Sequence, residues 1–163
     1  MSSRRFVVNA SPLIYLPQAD CLHLLRELAS EVVVPEAVVE EVGAGSYRQL
    51  ESPRIETVEW LRIEPDLPVP PEIAGWDLGA GESQVLAHTA SSTAGTQAVL
   101  DDLQARRCAQ SLGLGVIGTL GVILRSKRLG LLRFARPPIE ELLRRGMYLG
   151  RDLIEAALRE VGE

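Results

Sequence analysis

Ala98-Val99-Leu100-Asp101-Asp102-Leu103-Gln104-Ala105-Arg106-Arg107 is the stretch whose reading decides the fold. A short apolar run stops at two adjacent carboxylates. A helical pattern starts at once, with Ala105, Cys108, Ala109 and Leu112 at helical spacing. This describes a buried strand that delivers Asp101 and Asp102 to the top of a sheet. In open α/β sheets, the crevice outside the strand C-termini is where ligands bind. The competing use for Asp101 is structural, because Asp is a favoured helix N-cap.

Upstream, residues 78–88 read as a glycine-loosened turn followed by a helix. They match neither a Walker loop nor a dinucleotide fingerprint, since Gln84 stands where a third glycine is needed. Glu82 falls in the first helical turn, where a carboxylate interacts favourably with the helix dipole. Gly81 before it lets backbone approach whatever Glu82 binds.

At the start of the chain, Arg4-Arg5-Phe6-Val7-Val8-Asn9 is a short buried strand ending in a polar residue, and Ser11-Pro12 reads as an N-cap with proline at the first helical position. Asp20 is expected to open a second helix. Val32-Val33-Val34 is a second strand, all β-branched, as buried parallel strands tend to be. Pro35 begins a helix carrying Glu40 and Glu41, and either can lean over the sheet top. Residues 46–51 are a weak helical candidate, 58–63 an edge strand, and 64–75 a proline-rich connector without a period. Gly115-Val116-Ile117 is a further strand, followed by a helix that Thr119 is placed to cap. Two amphipathic helices, near 138–145 and 151–161, close the chain. His23 and His88 lack companions at ligand spacing.

The 163 residues suit one domain with a single core, expected over 1–163. Cys21 and Cys108 are expected as free buried thiols. No apolar run approaches the roughly 18 residues of a membrane span, and a cytoplasmic location is expected. The net charge of −5 is unevenly spread. Up to Asp101 there are 6 basic and 15 acidic side chains; from Asp102 onward, 11 basic and 7 acidic. An acidic half beside an arginine-rich half suits a metal-binding pole next to a phosphate-binding surface, and equally suits solvated helix faces. Arg106, Arg107, Arg125, Lys127 and Arg128 are expected to flank that pole and position a phosphate backbone.

Strands alternating with helices predict a parallel sheet between helical layers. Asn9, Glu40 or Glu41, Glu82, Asp101 and Asp102 then collect at one pole. Oxygen donors without convergent His or Cys suit a hard cation, Mg²⁺ or Mn²⁺. A phosphatase working through an aspartyl nucleophile needs Asp-x-Asp after the first strand, which Asn9-Ala10-Ser11 lacks.

Five blocks carry a family resemblance: residues 7–16 (VVNASPLIYL), 34–42 (VPEAVVEEV), 78–83 (LGAGES), 100–109 (LDDLQARRCA) and 118–124 (GTLGVIL). From residue 6 to the C-terminus the chain resembles PIN-domain proteins, with VapC-like toxins as the nearest branch. The resemblance implies a three-layer α/β/α fold around a parallel sheet of about five strands, and a Mg²⁺/Mn²⁺-dependent ribonuclease. It further implies a homodimer and, in the toxin branch, a small antitoxin protein as partner. It places the catalytic site on Asn9, Glu41, Glu82 and Asp101, with Asp102 adjacent as a metal ligand. Ser11, Thr119, Arg106 and Arg107 fall where RNA would lie. One departure stands: the PIN pattern usually has Asp where this chain has Asn9. An amide oxygen carries no charge, so weaker metal binding is expected. A catalytically weakened module that binds RNA or a protein partner is the alternative.

Overall fold

Phe6, Val7 and Val8 have no solvent exposure, so the strand they form is covered on both faces. The computed structural model describes residues 4–45, 50–51 and 54–163. Its sheet contains β1 (Arg5–Val8), β2 (Glu31–Pro35), β3 (Leu61–Glu64), β4 (Thr96–Val99) and β5 (Gly115–Ile117). Every pairing is parallel, in the order β3-β2-β1-β4-β5. Phe6 stands opposite Val32 on one side and Gln97 on the other. Among the described residues, the flanking helices are α1 (Ala10–Gln18), α2 (Leu24–Leu28), α3 (Glu36–Gly43), α4 (Pro71–Ala74), α5 (Ala80–Ala90), α6 (Leu103–Ser111), α7 (Thr119–Arg128), α8 (Arg136–Arg144) and α9 (Arg151–Glu160). The fold is the expected α/β/α sandwich around a five-stranded parallel sheet.

The winding direction positions the site. From β1 the chain steps outward through β2 to β3, then returns across the sheet to β4 and proceeds to β5. Strand order therefore reverses between β1 and β4, and at such a switch point two connections leave in opposite directions and open a crevice. Asn9 follows β1 and Asp101 lies just beyond β4. The two strands meet there directly, with Asn9 N–H donating to the Val99 carbonyl at 2.9 Å.

Several element boundaries differ from the sequence reading. α1 starts at Ala10 with Asn9 as its backbone cap, two residues ahead of the expected first helical position at Pro12, and Pro17 lies within its last turn. Asp20 opens no helix: it has φ +56° in the turn after α1, and α2 begins at Leu24. Short polar residues tolerate that left-handed geometry, which makes Asp a turn residue here. The connector contains α4, whose Ile73 is fully buried; one inward residue in a single turn leaves no visible period. Part of the proposed segment at 46–51 lies outside the described residues. The edge strand starts later than expected, at Leu61, after a 3₁₀ turn at Ile55–Thr57.

Charged groups on the sheet are paired. Arg5 donates to Glu31 at 3.0 Å and to Glu64 at 2.8 Å, and also to the Ser92 hydroxyl. Glu64 additionally faces Nδ1 of the buried His88 at 3.3 Å, which gives that histidine a structural partner. Cys21 and Cys108 are free and buried. Burial first, and Asp20 second, push the Cys21 thiol up to about 11, so it is inert at neutral pH. Among the described residues, no helix is long and apolar enough to cross a membrane.

Candidate active site at the sheet switch point

Asn9 commonly would cap its own helix, but its side chain makes no such bond. Its Oδ1 is buried without a hydrogen-bond partner and turns toward α5. Glu41 rises from α3 on the same side. Val38 and Val42 face the core, and this rotation leaves Glu40 in solvent while Glu41 is half-buried. Glu41 Oε2 is likewise buried without a partner.

Gly81 is what allows the two oxygens to meet. A Cβ there would lie 2.5 Å from Glu41 Oε2 and 3.2 Å from Asn9 Oδ1. The glycine that seemed to serve Glu82 thus also makes room for Asn9 and Glu41. Glu82, in the first turn of α5, folds back over Gly79, with Oε2 2.6 Å from where a Cβ on that glycine would stand. Burial, and next the nearby charge of Glu82, hold the Glu41 carboxyl above its ordinary value. Two carboxylates and an amide oxygen therefore share one poorly solvated space.

Asp101 is held separately and firmly. Its Oδ1 accepts from Thr119 N–H at 2.7 Å; its Oδ2 accepts from Thr119 Oγ1 at 2.6 Å and Ser11 Oγ at 2.8 Å. Thr119 is not the cap of α7; that position is Gly118, which has no side chain. Asp101 supplies the missing acceptor from across the sheet. It does not cap α6, which follows it; Asp102 does, accepting from Ala105 N–H at 2.9 Å. The paired aspartates thus divide the structural work, one for each helix.

Arg106 is half-buried beside Asp101: a Cβ on Gly118 would lie 2.5 Å from Arg106 Nη1 and 2.9 Å from Asp101 Oδ1. Arg107 is exposed on the next position of α6. Arg125, Lys127 and Arg128 do not flank this pole. α7 starts at Thr119, bonded to Asp101, and runs away from it, so six residues of helix carry Arg125 about 9 Å further. Arg125 donates to Gln97 at 2.9 Å, while Lys127 and Arg128 lie against Glu163 and Glu160. Lys127 and Arg128 neutralise the C-terminal segment instead.

Among the described residues, no three His, Cys, Asp or Glu side chains form a ready metal cluster. With Asn9 in place of an acid, the donors converging on Gly81 are Glu41 and one amide oxygen, with Glu82 folded over Gly79 beside them. Two unpartnered buried oxygens beside a crowded carboxylate nevertheless suit a hard divalent cation, which takes oxygen ligands and offsets their repulsion.

The architecture is a doubly wound α/β fold with oxygen donors at its switch point. The family model described as PIN domain matches residues 5–163, and the chain belongs to the PIN-domain family. PIN domains are in general nucleases that use divalent metal ions. Among curated proteins, none matches the sequence.

Proposed function

We propose that this protein is a Mg²⁺- or Mn²⁺-dependent endoribonuclease that hydrolyses RNA phosphodiester bonds at Asn9, Glu41, Glu82 and Asp101. The observation that carries the reading is the pair of buried, unpartnered oxygens, Asn9 Oδ1 and Glu41 Oε2, meeting at Gly81 beside Glu82. A bound divalent ion would supply a lowered pKa for a coordinated water and charge stabilisation for in-line displacement. Glu41, Glu82 and Asn9 would hold it from the α3–α5 side. Asp101, fixed by its three donors, forms a wall beside the scissile phosphate, with Asp102 at the outer edge. Ser11 and Thr119 position Asp101 through their hydroxyls. Arg106 and Arg107 offer cations to the RNA backbone.

In the toxin branch that the resemblance implies, such a nuclease acts as a homodimer restrained by a small antitoxin protein, and we extend that role to this chain. The alternative is a catalytically weakened module that binds RNA or a protein, and the neutral Asn9 favours it. Cleavage of a mixed single-stranded RNA pool decides between them. Products in Mn²⁺, lost with EDTA or in Glu82→Gln, support the nuclease; retained RNA binding without any cleavage supports the module.

A further inference from the structure

A groove of about 580 Å³ opens directly beside Asp101, between α6, β5, α7 and the C-terminal segment. Its volume falls in the range of about 300–1,000 Å³ typical of small-molecule sites. The walls are mainly apolar, among them Leu103, Val116, Leu120 and Leu153. Three charged residues reach it: Asp101, Arg106 and Glu160. Glu160 is paired with Arg128 at 2.9 Å and Asp101 is held by Ser11 and Thr119. Arg106 makes no hydrogen bond or ion pair among the described residues. It is the one cation lining the groove, and it lies beside Asp101.

Tyr148 stands on the rim, in the turn between α8 and α9. Met147 beside it is buried and anchors that turn, while Tyr148 itself is 94 % exposed. A ring this open stacks on nothing in the free protein. An apolar slot, an unstacked aromatic ring and an unpaired guanidinium at the entrance match an unpaired nucleotide. A base lies flat against aromatic and apolar surface, and its phosphate meets the arginine.

We propose that this groove is a nucleobase subsite, in which Tyr148 stacks on the base of an unpaired RNA nucleotide adjacent to the scissile position and Arg106 holds that nucleotide's phosphate. The assignment rests on the ribonuclease reading and names where that substrate lies. It requires single-stranded RNA, because a paired base cannot enter the slot. Tyr148 and Arg106 are binding residues here and take no part in the bond-breaking step.

Equilibrium binding of a fluorescent single-stranded RNA hexamer, measured in EDTA, tests the groove; cleavage in Mn²⁺ separately tests the nuclease. Tyr148→Ala is expected to weaken hexamer binding at least fivefold, the lower end for one base–aromatic stack, with the melting temperature unchanged. Tyr148→Phe keeps the ring and is expected to bind as the wild type does. Hexamers carrying an abasic site at each position in turn should reveal one position whose loss costs the wild type affinity and costs Tyr148→Ala little. If the wild type cleaves RNA but Tyr148→Ala binds every hexamer as tightly as the wild type, the subsite is overturned and the nuclease stands. If hexamers bind with these differences but nothing is cleaved, the subsite stands and the nuclease falls. A wild-type dimer by light scattering that Tyr148→Ala converts to monomer would assign the groove to a second copy of the chain and overturn the proposal.

Discussion

Asn9 Oδ1 and Glu41 Oε2 face the same small space beside Gly81, and neither has a hydrogen-bond partner. Unpaired buried polar atoms cost about 1–3 kcal/mol each, so the fold tolerates a local defect at its switch point. A cation bound there would remove the defect and so would link metal binding to stability.

Replacing the neutral partner sharpens that link. Asn9→Asp adds a third carboxylate around the space, which raises repulsion without metal and improves the donor set with it. The variant should melt lower than wild type in EDTA and bind Mn²⁺ more tightly. With metal in excess, each tenfold gain in affinity adds about 1.4 kcal/mol of stabilisation. Melting curves titrated with Mn²⁺ for both proteins measure this. An affinity unchanged by the acid would place residue 9 outside the ion's ligands.

Glu41 carries a pH signature. Its carboxyl is raised, first by burial and then by Glu82, so the fold favours the protonated form. Its contribution to stability is complete below the ordinary carboxyl range, about pH 4. That contribution is lost as pH rises through the raised folded-state value. Glu41→Gln should therefore stabilise the metal-free protein at pH 7.5 and give no advantage near pH 4. Thermal melts in chelator at the two pH values test the sign; an equal gain at both would mean that the charge on Glu41 is not the cause.

Gly81→Ala should separate stability from metal binding. Alanine improves helix propensity by up to about 1 kcal/mol, but its methyl group would take the space that Glu41 Oε2 and Asn9 Oδ1 now fill. Both contacts are side-chain ends, so Glu41 can swing toward solvent without backbone damage. The variant is expected to melt at or above the wild-type temperature in EDTA and to bind Mn²⁺ at least tenfold more weakly. Calorimetric titration reads the affinity. Unchanged affinity would show that Glu41 need not occupy this position.

Thr119 serves Asp101 twice, through its backbone N–H and its hydroxyl. Thr119→Val preserves shape and the N–H while removing one donor to a carboxylate. Hydrogen bonds to charged groups contribute about 1.5–3 kcal/mol, so the melting temperature should fall by several degrees. Ser11→Ala, on the more exposed side, should cost less. If the two variants together cost no more than Thr119→Val alone, Asp101 is held mainly from α7.

The local content of the chain is what the sequence determines by itself. Residues 98–107 show a strand ending in acids because an apolar run and a helical period are properties of neighbouring residues. The same holds for the buried character of Val32–34 and for the supply of oxygen donors in place of His and Cys. Tertiary structure decided the rest, because each remaining point depends on contacts between distant segments. Pairing of β1 with both β2 and β4 puts the switch point at Asn9 and Asp101. Packing of Val38 and Val42 rotates α3 so that Glu41, not Glu40, meets Gly81. Asp101 caps a helix 18 residues away because Gly118 cannot cap it. Arg125, Lys127 and Arg128 share a basic half with Arg106 in the sequence, yet the direction of α7 carries them away from the acids. Sequence distance records composition; which charge faces which is settled only when the helices choose their faces on the sheet.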